Sequence, residues 1–204
     1  TDADYTDILA DTEALVARVF DTVTGSTVIT YGGQRIDLTP PWPQLTVRDA
    51  YRRWAQWDPV EDWDANRFDV DMVERIEPAL PRDTPCVLID YPAPAASLAR
   101  LNDGDPRVAE RWEVYIGGLE LGNAYSELCD PTAQRERFLQ ATDERLALGK
   151  SVYPLDEAFL RALERGMPPC GGIALGMDRL VMLACDAADI AAIRPFCERP
   201  GALL

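Results

Sequence analysis

The residues best suited to chemistry lie in one stretch, Arg111 to Leu128, which holds Glu113, Glu120, Asn123, Tyr125 and Glu127. Two runs rich in β-branched and aromatic residues flank Gly117-Gly118. A two-glycine loop accepts the positive φ angles of a tight hairpin turn, so the stretch reads as a β-hairpin. In tight register Ile116 faces Leu119, Tyr115 faces Glu120 and Glu113 faces Gly122, which makes Glu113 and Glu120 diagonal neighbours on one sheet face. Asn123, Tyr125 and Glu127 share a face with one another but have the opposite parity to Glu120. A bulge at Leu121-Gly122 brings all five polar groups to one side, and glycine inside a strand often marks a bulge. The spacing predicts that bulge.

A second element has a matching chemical logic. Pro168-Pro169-Cys170-Gly171-Gly172 feeds a short strand, Ile173-Ala174-Leu175, and Gly176-Met177-Asp178-Arg179 opens a helix. A helix starting there aims unpaired N–H groups and partial positive charge into the site, which suits an anion. Paired carboxylates can hold divalent ions against a polyphosphate while a fixed arginine contacts the nucleotide. Paired glutamates also decorate solvated sheet faces, so the argument rests on the two elements together.

The rest of the chain must position this pair. Asp2 to Phe20 carries apolar residues at helical spacing. Thr27–Tyr31 and Arg35–Leu38 around Gly32-Gly33 read as a short hairpin, broken by Pro40-Pro41-Trp42-Pro43. Thr46 is an N-cap candidate for a helix through Tyr51 and Trp54, and Val70–Leu80 reads as another helix. Residues 25–80 are thus expected to form a small, mainly helical insertion, with Trp42, Trp54, Trp57 and Trp63 packing it against the main body. The apolar run within Thr84–Pro92 reads as a buried central strand, and Ala93–Arg100 as a loop and short turn. Pro131–Leu148 and Asp156–Arg165 read as helices, the second stopped by Gly166. The expected fold class is α+β: a sheet core over 84–204 flanked by helices.

Composition narrows the chemistry. With 204 residues and 47% hydrophobic content the chain can build one substantial core. It has no histidine, which removes histidine triads and histidine acid–base catalysis. The five cysteines, Cys86, Cys129, Cys170, Cys185 and Cys197, are widely spaced and suggest buried thiols rather than a zinc site or disulfide framework. Net charge is −15, and Lys150 is the only lysine among 20 basic residues. Such a surface repels polyanions, so no broad nucleic-acid face is expected. No apolar run is long enough to span a bilayer and no signal peptide is visible, so the expectation is a cytoplasmic protein without membrane contact.

These motifs resemble class II aminoacyl-tRNA synthetases, specifically the lysyl branch. Gly172-Ile-Ala-Leu-Gly-Met-Asp-Arg179 is similar to that family's third motif, and Gly118-Leu-Glu-Leu-Gly-Asn-Ala-Tyr-Ser-Glu-Leu128 to the lysyl signature. The similarity runs from the first helix to about Ile193, including Tyr91-Pro92 and Ser97-Leu98-Ala99. Within the branch the chain most resembles the paralogue without an anticodon domain that modifies a lysine of elongation factor P. The short connection from Ser97 to Glu113, the segment Arg107–Glu113, and Ala174 at a position where lysyl-tRNA synthetases carry glycine point that way.

The resemblance implies a class II antiparallel sheet, ATP and Mg2+ as cofactors, and activation of lysine or (R)-β-lysine followed by transfer to elongation factor P. It implies that Arg179 and Glu120 act at the reacting nucleotide and that Glu120, the Leu121 backbone, Gly176 and Arg179 bind ATP. Glu113 and Glu120 would hold magnesium. Glu127 would pair with a substrate ammonium, helped by Asn123 and Tyr125, with Ala174 at the pocket wall. In that family the first motif forms a dimer interface and the second supplies an arginine to the α-phosphate, and both precede the helix with which this chain begins. The expectation is therefore the C-terminal part, 1–204, of one catalytic domain, with little activity alone and a homodimer for the complete domain. A lysyl-tRNA synthetase fragment and a non-catalytic nucleotide-binding module stand as the alternatives.

Overall fold

The computed structural model describes residues 1–196; Cys197 lies outside them. Helix α1, Tyr5–Thr24, begins where Asp4 accepts from the Thr6 and Asp7 amides and Asp7 reciprocates. It runs past the expected Phe20 because the first residue in a left-handed conformation is Gly25, at φ 76°. Strands β1, Val28–Tyr31, and β2, Gln34–Asp37, pair as the expected hairpin.

The main sheet has five strands in the order β3-β4-β5-β6-β7: Gln44–Thr46, Cys86–Pro92, Val108–Ile116, Leu119–Ser126 and Gly171–Leu175. The β3/β4 pair is parallel and the other three are antiparallel. The strand expected to be central, β4, lies beside the short edge strand β3, and β5 occupies the middle.

Helix α2, Val47–Ala50, is capped by Thr46 as expected and continues as a wider turn over Tyr51–Ala55. Helix α3, Ala65–Asp71, starts earlier than the sequence reading because Asp64 caps it, accepting from Arg67 N at 2.9 Å. Wide and tight turns then extend it through Met72–Ile76 and Glu77–Ala79. After the sheet hairpin come α4, Pro131–Ala147, and α5, Glu157–Glu164; α6, Met177–Cys185, follows β7.

Two apolar clusters sandwich the sheet. On one face Trp112, Val114 and Ile116 of β5 and Leu121 and Ala124 of β6 pack with Val16 and Phe20 of α1, Ile36 of β2 and Leu183 of α6. On the other, Leu88, Tyr91 and Tyr115 pack with Tyr51, Phe68 and Ile76. Strand β4 feeds both clusters, which is why Cys86-Val-Leu-Ile reads as an unbroken apolar run. Residues 25–80 divide between the faces: Ile29, Ile36, Leu38 and Trp42 join the α1 side, whereas 47–80 cover the opposite side. Trp57 is buried in the second cluster, edge-on to Tyr51, and Trp54 and Trp63 pack against its rim.

Candidate functional site

The β5–β6 hairpin contains the bulge. Ile116 pairs with Leu119 and Tyr115 with Glu120, as in tight register, but Val114 then pairs with Gly122 and Glu113 with Asn123. Leu121 is the extra residue. Its side chain turns into the α1 core at 1% exposure, and the step restores Asn123 and Tyr125 to the face that carries Glu120. Glu113 consequently faces Asn123, not the Gly122 of the unbulged register. Strand β7 extends the same face, with Ala174 opposite Asn123 and Gly172 opposite Tyr125.

Three adjoining clefts line this face. The first, 540 Å³, is bounded by Glu120, Leu121, Asn123, Ala174, Gly176 and Arg179. Here Arg179 Nη1 donates to the Glu120 carbonyl at 2.5 Å and approaches its Oε2 at 3.4 Å. Gly176 N donates to Leu121 O at 2.8 Å, locking the start of α6 onto the bulge. A Cβ on Gly176 would lie 3.3 Å from that carbonyl, so glycine allows the close approach. Both Arg179 and Glu120 are partly exposed, the arrangement expected of groups that can turn toward a ligand.

The second cleft, 530 Å³, lies between the polar face and the helical segment 65–79, and Glu113, Glu120, Glu77, Arg111, Tyr91 and Tyr115 line it. Glu113, 8% exposed, accepts a hydrogen bond at each oxygen, which leaves lone pairs on both. Its Oε1 accepts from Arg111 Nη2 at 2.6 Å and its Oε2 from the Tyr115 hydroxyl at 2.8 Å. Burial and the adjacent Glu113 push the Tyr115 phenol pKa up, so it remains a donor. Burial, reinforced by Glu113, raises the Glu77 carboxyl as well. The Arg111 guanidinium also stacks over Tyr91, 4.2 Å from the ring centroid.

The third cleft, 340 Å³, is lined by Leu98, Asn123, Tyr125, Glu127, Gly172, Ile173 and Ala174. Burial raises the Glu127 carboxyl pKa, and among the described residues no cation pairs with it. A Cβ on Gly172 would collide with Glu127 Oε1, so glycine there makes room for the carboxylate. Asn123 Oδ1 is buried and has no hydrogen-bond partner. Asn123 and Ala174 line both this cleft and the first, joining them.

The fold therefore brings Glu120, Leu121, Asn123, Ala174, Gly176 and Arg179 together, and places Asn123, Tyr125 and Glu127 in the adjoining cleft. Among the described residues no group of three or more Asp, Glu, Cys or His converges as a preformed metal cage. Glu113 and Glu120 line one cleft, and magnesium is typically held by one or two carboxylates together with substrate phosphates, so this pair fits a shared role rather than a protein-only site. Sequence reasoning assigned no role to Arg111, Tyr115 or Glu77. The alternation Arg111-x-Glu113-x-Tyr115 was the available signal, since i and i+2 share a strand face. Nothing local marks Glu77.

A family model described as tRNA synthetases class II (D, K and N) matches residues 1–200. The chain belongs to that family. The class II synthetase fold is consistent with the antiparallel-dominated sheet and its flanking helices. The chain is 39% identical over 208 residues to a lysine–tRNA ligase of Moorella thermoacetica, covering 92% of this chain and 42% of the relative. It is 36% identical over 221 residues to the lysine–tRNA ligase of Anaeromyxobacter sp. (strain K), at 92% and 43%. The corresponding Fervidobacterium nodosum ligase gives 39% over 204 residues, at 92% and 40%. The chain thus spans less than half the length of these curated relatives. It is a class II tRNA synthetase domain similar to lysine–tRNA ligases, and among the described residues no helix is long and apolar enough to cross a membrane.

Proposed function

We propose that this chain supplies the nucleotide and amino-acid walls of an ATP-dependent, lysine-activating ligase. One observation carries the reading: the half-buried Glu127 carboxylate, with no cation among the described residues, and the orphaned Asn123 Oδ1 share a cleft that opens onto Arg179 and Glu120. Buried polar groups are normally satisfied within the fold, so two adjacent acceptors without donors fit an ammonium-bearing ligand. The substrate carboxylate would attack the ATP α-phosphorus, forming the acyl–phosphate bond as pyrophosphate leaves. Arg179 and the Gly176 helix start would position the nucleotide. Bound magnesium would neutralise phosphate charge, with Glu120 and Glu113 as its protein ligands. The similarity to lysine–tRNA ligases supports tRNA as the acceptor.

A second reading rests on Ala174. Its methyl lies where the first and third clefts meet, and a methylene-sized change at a pocket wall discriminates between substrate skeletons by about 10- to 200-fold. Taken with the resemblance of Ala174 and Arg107–Glu113 to the paralogue that modifies elongation factor P, that supports (R)-β-lysine as substrate and a lysine of elongation factor P as acceptor, for which a chain of net charge −15 needs no basic face. Pyrophosphate exchange by the intact protein, run in parallel with L-lysine and (R)-β-lysine, separates the two. Faster exchange with L-lysine supports the tRNA ligase reading and faster exchange with (R)-β-lysine the second. Absence of exchange with both removes the proposal.

A further inference from the structure

The loop between β4 and β5 is held with unusual care around one exposed apolar residue. Ser97 sits at φ 54°, a conformation costly for a residue with a Cβ and maintained only where surroundings enforce it. The enforcing group is Arg137 of α4, whose Nη1 donates to Ser97 O at 2.8 Å and to Ala99 O at 2.6 Å. Between them, Leu98 O accepts from Leu128 N at 3.0 Å, and Ala99 bridges to Glu127. The carbonyl of Leu98 and those on either side of it are therefore all fixed.

Arg137 is itself out of the ordinary. The chain has 35 acidic residues, yet among the described residues none pairs with this half-buried guanidinium, and burial pushes its pKa down. A desolvated charge is usually matched by an opposite one; here it is used on backbone carbonyls. Gln134, one turn earlier on α4, is 1% exposed, so this is the helix face that meets the body of the protein. What the arrangement presents is Leu98. The residue is 43% exposed and lines the third cleft alongside Asn123, Tyr125, Glu127 and Ala174.

We propose that Leu98 is a specificity-determining residue that packs on the aliphatic stem of the amine substrate, and that Arg137 is the positioning residue that holds it there. The inference rests on reading this cleft as the amino-acid site. An ammonium on Glu127 fixes one end of the ligand, and an apolar wall at a set distance then favours a stem of matching length. Glu127 supplies charge recognition, and Leu98 measures the methylenes between the charges.

Calorimetry on the intact protein tests this with L-lysine, (R)-β-lysine and L-ornithine, whose stem is one methylene shorter than that of L-lysine at the same charge. Leu98→Ala is expected to weaken the preferred lysine about tenfold, to flatten its advantage over ornithine, and to leave ATP affinity unchanged. Arg137→Ala is expected to act in the same direction. Arg137→Lys is expected to restore most of the preference, because both bonds come from a single nitrogen that an ammonium can replace. If Leu98→Ala binds lysine and ornithine with the parent's ratio, the inference fails and the cleft assignment stands. If the parent binds no amine at all, the cleft assignment fails and takes the inference with it. Should Arg137→Ala not fold, the Leu98→Ala ratio decides alone.

Discussion

Alternate residues of the same hairpin meet opposite surroundings on the two faces of the sheet. Trp112, Val114 and Ile116 are fully buried against α1, β2 and α6, and their contribution is the removal of apolar surface from water. Arg111, Glu113 and Tyr115, interleaved with them, face the clefts and hold one another through short hydrogen bonds. The polar face is itself graded. Toward β4 both Glu113 oxygens have donors, although Arg111 Nε and the Tyr91 hydroxyl are buried without partners; toward β7 Asn123 Oδ1 has none, and among the described residues no cation pairs with Glu127. The difference separates a carboxylate held by its neighbours, Glu113, from one left unpaired at some expense to the fold, Glu127.

The largest break in that contrast is expected from Trp112→Ala. It removes a fully buried ring and the Trp112 Nε1 bond to Tyr5 O at 2.6 Å. Urea unfolding should show a loss of about 3–5 kcal/mol, a large share of the roughly 5–15 kcal/mol that holds a typical domain. Every binding property should fall with it.

Glu127→Gln should do the reverse. Removing one end of a charge-assisted pair is expected to weaken lysine binding by roughly 10- to 100-fold in calorimetry. The ligand-free protein should become more stable at neutral pH. The folded state raises the Glu127 pKa through burial, so the stability it contributes is present below its ordinary value of 4.5 and is lost as pH rises through the raised value. At neutral pH the ionised group is therefore a burden that glutamine relieves. Melting curves for the two proteins should separate near pH 7 and converge below pH 4.5. A variant less stable at pH 7 would mean that Glu127 is satisfied within the fold.

Tyr115→Phe sharpens the comparison within the polar face. It removes one donor from Glu113 while Arg111 remains, so the expected cost is about 1–2 kcal/mol in unfolding. Lysine affinity should be nearly unchanged, since Tyr115 does not line the third cleft.

Much of this was legible. The parity clash between Glu120 and Asn123 could be resolved only by an extra residue, and Leu121 is that residue. The glycine-rich strand-to-helix turn ending at Arg179 was likewise readable, because a tight approach and a helix start have local signatures. Element ends were less so: α1 passed Phe20 until Gly25, and α3 began at the unrecognised cap Asp64. The division of 25–80 between the two faces also escaped local reading, since no pattern within a short hairpin says which side of a distant sheet it will cover.

Strand and helix periodicity, glycine conformations and capping are properties of neighbours along the chain, so the sequence by itself determined the hairpin, its bulge and the polar content of its face. The meeting of Glu77 with the Glu113–Tyr115 pair, the stack of Arg111 on Tyr91, and the clamp of Arg137 around Leu98 were decided only by tertiary structure. Each joins residues far apart in the chain, and whether a buried charge finds a partner depends on which distant elements the core packs beside it.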